Sequence, residues 1–183
     1  MNKGLLLLLA LGLLGTGPAL ARDLEVGAWA PSALGFADSS LNVKSRTGGG
    51  LYLIFSSSFG IGVNSVGANL TPADASSDAP VIKHNLLDLS FTIPRKEGPD
   101  YTLGFGLGSV GISCATCAAN YENGTSSELF AEARGKFWGI NWVLGGRRMT
   151  GQIKGKILGA GNKVANLNAD TYVLNLGAGL RFK

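Results

Sequence analysis

The sequence predicts an all-β fold: an eight-stranded antiparallel up-and-down transmembrane β-barrel preceded by a cleaved signal peptide. Three observations lead there. Glycine is too abundant for helices, apolar residues fall at alternate positions in eight separate segments, and an export leader is followed by no apolar run long enough for a membrane helix. Glycine accounts for 28 of 183 residues, about twice the usual share of roughly 7%. Each Gly inside a helix costs about 1 kcal/mol relative to Ala. With 45% hydrophobic and 15% charged residues, the chain lacks the composition of a disordered polymer. Its formal net charge of +4 is small and scattered, which gives no argument for a nucleic-acid partner.

The first 21 residues form a separate object. Lys3 supplies a positive start, Leu5 to Leu14 a short apolar run, and Ala19-Leu20-Ala21 a small-residue cleavage site, the pattern of a secretory signal peptide. The run is shorter than the roughly 20 residues a spanning helix needs. No Cys follows it, so no lipoprotein anchor is indicated. The division is therefore 1–21 as signal peptide and 22–183 as a single barrel domain. An exported chain without a spanning helix is either soluble or a closed barrel, because only helices and barrels satisfy every backbone group in lipid.

The segments follow in order. In the first, Leu24, Val26, Ala28 and Ala30 alternate with Glu25, Gly27 and Trp29. In the second, Leu51, Leu53 and Phe55 continue a face begun near Val43, opposite Lys44, Arg46, Gly48, Gly50 and Tyr52. The third sets Phe59, Ile61 and Val63 against Gly60, Gly62 and Asn64. The fourth sets Leu87, Leu89, Phe91 and Ile93 against Leu86, Asp88, Ser90 and Thr92. The fifth sets Tyr101, Leu103, Phe105 and Leu107 against Thr102, Gly104, Gly106 and Gly108. In the sixth, Leu129, Ala131, Ala133 and Phe137 oppose Phe130, Glu132, Arg134 and Lys136. The seventh pairs Ile140, Trp142 and Leu144 with Asn141, Val143 and Gly145. The eighth is the clearest, with Tyr172, Leu174, Leu176, Ala178, Leu180 and Phe182 against Thr171, Val173, Asn175, Gly177, Gly179 and Arg181. Period two over about ten residues marks a barrel strand in a membrane.

Connections alternate in length. Short ones fall at Ser56-Ser57-Ser58, at Pro94 to Asp100 and at Trp138-Gly139, and longer polar ones at Asn69 to Pro80, Cys114 to Ser127 and Gly151 to Ala169. The first, Phe36 to Leu41, is intermediate. Such alternation fits a barrel with short turns on one rim and long loops on the other. Gly48-Gly49-Gly50 suggests a bend or bulge. Arg147 and Arg148 are adjacent, so one of them points at lipid; Arg148 is placed near the outer rim, where an exposed charge costs roughly 0–1 kcal/mol. Trp29, Trp138, Trp142, Tyr101 and Tyr172 are candidates for interface girdles. A soluble barrel or sandwich, with the apolar face turned inward, shows the same alternation. The many glycines on the opposite face and the exported context favour lipid.

In these features the chain resembles bacterial outer-membrane β-barrel proteins of the small eight-stranded OmpA/OmpX type. The most specific piece is the last strand, where Asn175, Gly177, Leu180 and Phe182 match that family's C-terminal pattern of polar, Gly, hydrophobic and aromatic residues. Lys183 follows the aromatic that usually ends the chain. The resemblance implies a multi-pass location in the bacterial outer membrane, contact with outer-membrane lipid, and reading of this strand by the barrel assembly machinery during biogenesis. It does not imply an activity, since one fold carries many functions.

An eight-stranded barrel leaves room inside only for side chains. The inward set is expected to hold a charge network of Glu25, Lys44, Arg46, His84, Asp88, Glu132, Arg134, Lys136 and Arg181, because unpaired charges there cost several kcal/mol. Closure by these groups is the first expectation. An anion-favouring water path is the alternative, since bases outnumber acids in the set. His84, the single histidine, has Asp88 and Ser90 on its own face. Positions two and four apart on a strand lie about 7 and 13 Å apart, too far for a triad, so no catalytic residue and no enzyme is expected. Cys114 and Cys117, four residues of Cys-Ala-Thr-Cys without a following His, fit neither haem attachment nor zinc. In an oxidising compartment they are expected to close a local disulfide. No cofactor or metal motif is present, and the ligand of the loops is left open. The functional reading is a barrel with a structural or surface-interaction role; the alternatives are a small pore, a lipid-modifying enzyme or a soluble periplasmic binding barrel.

Overall fold

The computed structural model describes residues 24–56, 58–72, 79–158 and 162–182. The leader assigned to residues 1–21 lies outside these, as do Ser57 of one turn and the loop residues 73–78 and 159–161. The elements are β1 (Leu24–Phe36), β2 (Val43–Phe55), β3 (Phe59–Leu70), β4 (Val81–Ile93), β5 (Asp100–Ser113), α1 (Cys117–Asn120), β6 (Tyr121–Glu122), β7 (Gly124–Phe137), β8 (Ile140–Gly155), β9 (Leu167–Asn168) and β10 (Thr171–Phe182). Long antiparallel strands pair in the order β1-β2-β3-β4-β5-β7-β8-β10, and β10 returns to β1. The sheet is a closed eight-stranded barrel. The two-residue strands β6 and β9 both add to the far end of β8.

The alternating apolar residues point outward. Leu174, Leu176, Leu103 and Phe105 are 57%, 53%, 55% and 48% exposed, as are their counterparts on the other strands. A continuous apolar surface of this kind is not left to water; it is a lipid-facing belt. The 12 residues of β10, at about 3.3 Å each and tilted by about 40°, rise about 30 Å, enough for the hydrocarbon layer. Phe59, Phe91, Phe137, Trp142 and Phe182 gather toward the short-turn end. There Trp138 (φ 50°) and Gly139 (φ 85°) form the two-residue connection of β7 and β8, the left-handed pair a tight hairpin favours. Trp29, assigned to the girdle by its residue type, is instead 4% exposed inside the barrel. Its position in the alternation decides its direction.

Strands run farther toward the long-loop side than the apolar pattern indicates. β5 continues to Ser113, β7 begins at Gly124 and β8 continues to Gly155, so much of the expected loops is sheet. The reason is an inversion of the pattern. Past Ser65, Asn85, Ser109 and Thr150 the outward positions become polar, while Val66, Ile82, Val110 and Ile153 fill the inside, fully buried. The barrel stays a barrel but trades lipid for water around it.

The β1–β2 ladder is short, six pairs from Leu24 with Phe55 to Trp29 with Gly50. Beyond it stands Pro31, which has no N–H to give a neighbouring strand, and a register shift between Pro31 and Ala33. On the β2 side Gly48 sits at φ 92°, where a side chain would strike the Ser65 carbonyl. The bend or bulge expected at the three glycines amounts to this one left-handed residue: β2 stays in register with β3 from Gly48 to Gly50, and the register shift lies earlier in the strand, between Val43 and Ser45.

The outward belt yields a direct test. Leu176→Arg, in the middle of β10, is expected to lower the free energy of unfolding in lipid vesicles by about 2–4 kcal/mol, and Thr150→Arg by no more than about 1 kcal/mol, read from urea-dependent unfolding. Equal effects would mean that the belt does not face lipid.

Candidate functional site

Inside the belt, the inward residues of β1, β3, β4, β7, β8 and β10 converge on two arginines. Arg147 from β8 donates through Nη1 to Glu128 Oε1 at 2.6 Å and to Asp88 Oδ2 at 3.2 Å, and through Nη2 to Glu132 Oε1 at 2.6 Å. Its guanidinium lies 3.9 Å from the Trp29 ring centre and 4.1 Å from that of Phe130, an arrangement that adds cation–π attraction to the ion pairs. Arg134 from β7 bonds Glu132 Oε2 at 2.5 Å and Glu25 Oε1 at 3.1 Å, with Tyr52 beneath it at 4.2 Å. Glu132 thus bridges the two arginines.

Neutral groups complete the set. Tyr52 donates its hydroxyl to Glu25 Oε1 at 3.0 Å, Asn141 reaches Glu25 Oε2 at 2.6 Å, and Asn175 reaches Glu132 Oε1 at 3.2 Å. Asn64 donates to both oxygens of Asp88 at 2.9 Å. Glycines on neighbouring strands make the space. A side chain at Gly50 would run into the Trp29 indole, one at Gly104 into Phe130, and one at Gly27 or Gly179 into the Tyr52 hydroxyl. These four glycines are sockets for inward aromatics, and Gly106 and Gly145 likewise make room for Asp88 and Glu132, as a bore this narrow requires.

Four of the nine sequence-derived charges enter this network: Glu25, Asp88, Glu132 and Arg134. Lys44, Arg46, Lys136 and His84 stand apart from it. Lys44, Arg46 and Lys136 are exposed, at strand ends where the bore opens to water. Arg181 is also exposed, beside Glu25, Arg134 and Lys136 in a recess of about 170 Å³ at the short-turn mouth. His84 is buried but lies in a separate layer toward the long-loop end, with Nδ1 2.7 Å from Ser126 Oγ and Nε2 3.0 Å from the Ala169 carbonyl and 3.1 Å from Thr171 Oγ1. Among the described residues no carboxylate is hydrogen-bonded to it, and neither Asp88 nor Ser90 is its partner.

The buried set holds four carboxylates (Glu25, Asp88, Glu128, Glu132) and two guanidiniums (Arg134, Arg147). Among the buried charges, carboxylates therefore outnumber guanidiniums, the reverse of the expected excess of bases. Glu128 and Arg147 were missed. Each shares the parity of its strand's inward face, Glu128 with Glu132 and Arg147 with Asn141, so extending those segments by two residues finds both.

Above His84, toward the loops, the bore is filled by Leu70, Ile82, Val110, Ile153 and Ala169, with Phe36, Leu41, Ile112, Tyr121 and Leu167 packed against them. Nearby, Cys114 and Cys117 are joined in a disulfide with their Cα atoms 5.0 Å apart, and Cys117 opens the single turn α1 that leads into β6. Of the C-terminal pattern residues, Asn175 points inward into the network and Gly177 lies against Trp29, while Leu180 and Phe182 face outward.

No protein-family model matches the chain, and no curated protein sequence matches it. Solved structures do. The outer membrane protein AlkL, determined by solid-state NMR in DMPC lipid bilayers, is similar over 92% of this chain and 94% of its own, at 15% identity and a TM-score of 0.59. OprG, an outer membrane protein of Pseudomonas aeruginosa, is similar over 89% of this chain and 97% of its own, at 14% identity and a TM-score of 0.50. Neisserial surface protein A is similar over 87% of this chain and 94% of its own, at 12% identity and a TM-score of 0.51. The likeness is one of fold: this is the small eight-stranded barrel of outer membrane proteins, of OmpA/OmpX-type architecture.

Removing one partner of a buried ion cluster exposes the cost of the rest. Arg147→Ala leaves Asp88, Glu128 and Glu132 without their shared guanidinium and is expected to cost about 3–5 kcal/mol. Arg148→Ala, one residue away on the outer face, is expected to stay within about 0.5 kcal/mol. Urea unfolding of the two variants in vesicles checks the contrast.

Proposed function

We propose that the protein is a closed, non-conducting outer-membrane barrel whose working surface is the structured extension on its long-loop side. The observation that carries this reading is the Arg147 clamp, a guanidinium held between two aromatic rings and three carboxylates across the bore. Side chains of the network are no more than 8% exposed, so the bore holds no wide water path at that level. The apolar layer around Ile82 and Ile153 closes it a second time. A pore needs neither.

The extension supports the second half of the proposal. β8 rises beyond the belt as a mast: β6 pairs with it through Tyr121 and Glu122, and β9 through Leu167 and Asn168. Lys156 Nζ ties it to the Ala118 carbonyl at 2.7 Å, next to the disulfide turn. Loops meant only to connect strands would not carry their own sheet and cross-link. A structural or surface-interaction role fits this build, and the Ser126–His84 contact fits a structural hydrogen bond, since the imidazole's second nitrogen meets a backbone carbonyl and a hydroxyl and no acid.

Planar-bilayer recording tests the closed bore. The folded protein is expected to give no stepwise conductance, and regular single-channel steps would replace this reading with that of a pore.

A further inference from the structure

The outer wall has a feature that closure of the bore does not use. Across β7, β8, β10 and β1 the outward residues Ala131, Gly146, Leu174 and Ala33 fall in one row, and Leu129, Arg148, Tyr172 and Gly35 in the next. The first row is small except for Leu174 and the second is bulky except for Gly35, which leaves a furrow of about 750 Å³ in the lipid-facing surface. Gly146 forms its floor. A methyl group added there would meet a single atom, Leu174 Cδ2, at 4.0 Å. Gly35, in the next row, likewise faces open space, with nothing within 4 Å of an added methyl group, so each row of the furrow contributes an open glycine.

At the upper end of the furrow stands Arg148, exposed, with its guanidinium 5.8 Å from the Tyr172 ring. None of the ion pairs among the described residues includes it. Farther along the same face of β8 come Thr150, Gln152 and Lys154. A second recess of about 530 Å³ opens beside Thr150 and Gln152, and a third of about 630 Å³ at Lys154, Lys156 and Lys163. Asp170 and Glu122 are the acids along this path, and Asp170 Oδ1 already accepts the Gly151 N–H at 3.0 Å. From Arg148 to Lys154 the strand climbs about 15 Å at the usual rise and tilt. The path therefore begins in hydrocarbon, passes an arginine at the level of the interfacial tyrosine, and ends among three lysines in water.

We infer that this groove along β8 binds one molecule of a phosphorylated, multiply acylated glycolipid of the outer leaflet. An acyl chain fills the furrow over Gly146. A phosphate sits on Arg148, whose planar fork matches phosphate oxygens. The sugar headgroup extends past Thr150 and Gln152 toward the lysines. An ordinary phospholipid fills the furrow and reaches Arg148 but ends below Lys154. The inference deepens the reading of the β8 extension as the working surface by naming its ligand.

The test is a lipid titration of the detergent-solubilised, folded protein by native mass spectrometry. The probes are bisphosphorylated hexa-acyl lipid A, the same lipid without phosphates, and phosphatidylglycerol. Bisphosphorylated lipid A is expected to bind as a single tight equivalent, with the other two at least about tenfold weaker. Arg148→Ala and Gly146→Leu are each expected to weaken it about tenfold, whereas Lys83→Ala, outward on the opposite wall, leaves it unchanged. The gel mobility of unboiled samples verifies that each variant is folded. Lipid A binding that survives both substitutions, or that does not depend on the phosphates, overturns the site. Phosphatidylglycerol binding as tight as lipid A overturns the glycolipid assignment. Either failure leaves the closed-bore reading standing, because that reading rests on conductance.

Discussion

A bore only wide enough for side chains is the constraint from which the rest of this structure follows. Eight strands enclose too little space for two large groups at one level, so every bulky inward residue needs an absence beside it. Gly50 stands under Trp29, Gly104 under Phe130, and Gly27 with Gly179 under Tyr52. These sockets aim three rings toward the axis, where two guanidiniums lie against them. The carboxylates then have fixed donors to meet, and Glu132 joins the two arginines into one network. Buried ion pairs of this sort repay their desolvation only with good geometry, and they are weak evidence for net stability. Their clearer effect here is on register. A slip of one residue in any contributing strand turns its charged group to lipid.

The same strands serve two solvents. In the belt, leucines and phenylalanines face out and ions face in. Above Ser65, Asn85 and Ser109 the order reverses, with isoleucines and valines inside and serine, asparagine or lysine outside. The upper barrel follows the rule of a water-soluble one, and its dry interior caps the polar plug. His84 sits at the junction of the two regimes, satisfied on both nitrogens.

This reversal also explains what was legible in the sequence. Direction was: period two separated the two faces of every belt strand, and the glycines on one face together with the export leader assigned the other to lipid. Height was not. Lys44, Arg46, Lys136 and Arg181 lie near strand ends, and nothing local distinguishes an inward charge at the centre from one at the mouth. Strand length is hidden for a related reason, since apolar-out alternation marks only the belt and the upper strands are polar-out. Partnership was hidden most deeply. Glu25 and Arg134 are 109 residues apart and Asn141 and Glu25 are 116 apart, contacts that exist only once the barrel closes. The Ser126 partner of His84 likewise comes from a strand 42 residues away, while the search along its own strand could only exclude neighbours.

Arg147 and Arg148 show how the inner and outer surfaces are linked. Adjacent residues on a strand point to opposite faces, so a charge clamped inside fixes the backbone from which its neighbour projects. Arg147 is held by two rings and three carboxylates, and β8 is paired on both sides at this level, with Phe130 opposite Arg147 on β7 and Tyr172 opposite Arg148 on β10. The outer guanidinium therefore leaves the wall at a set height, beside an interfacial tyrosine and above the floor at Gly146. A charge on a loose loop would spend entropy to find a headgroup; one on a strand locked from within does not. Beyond the closure proposed for it, the charged plug fixes the strand from which Arg148 projects at the outer wall.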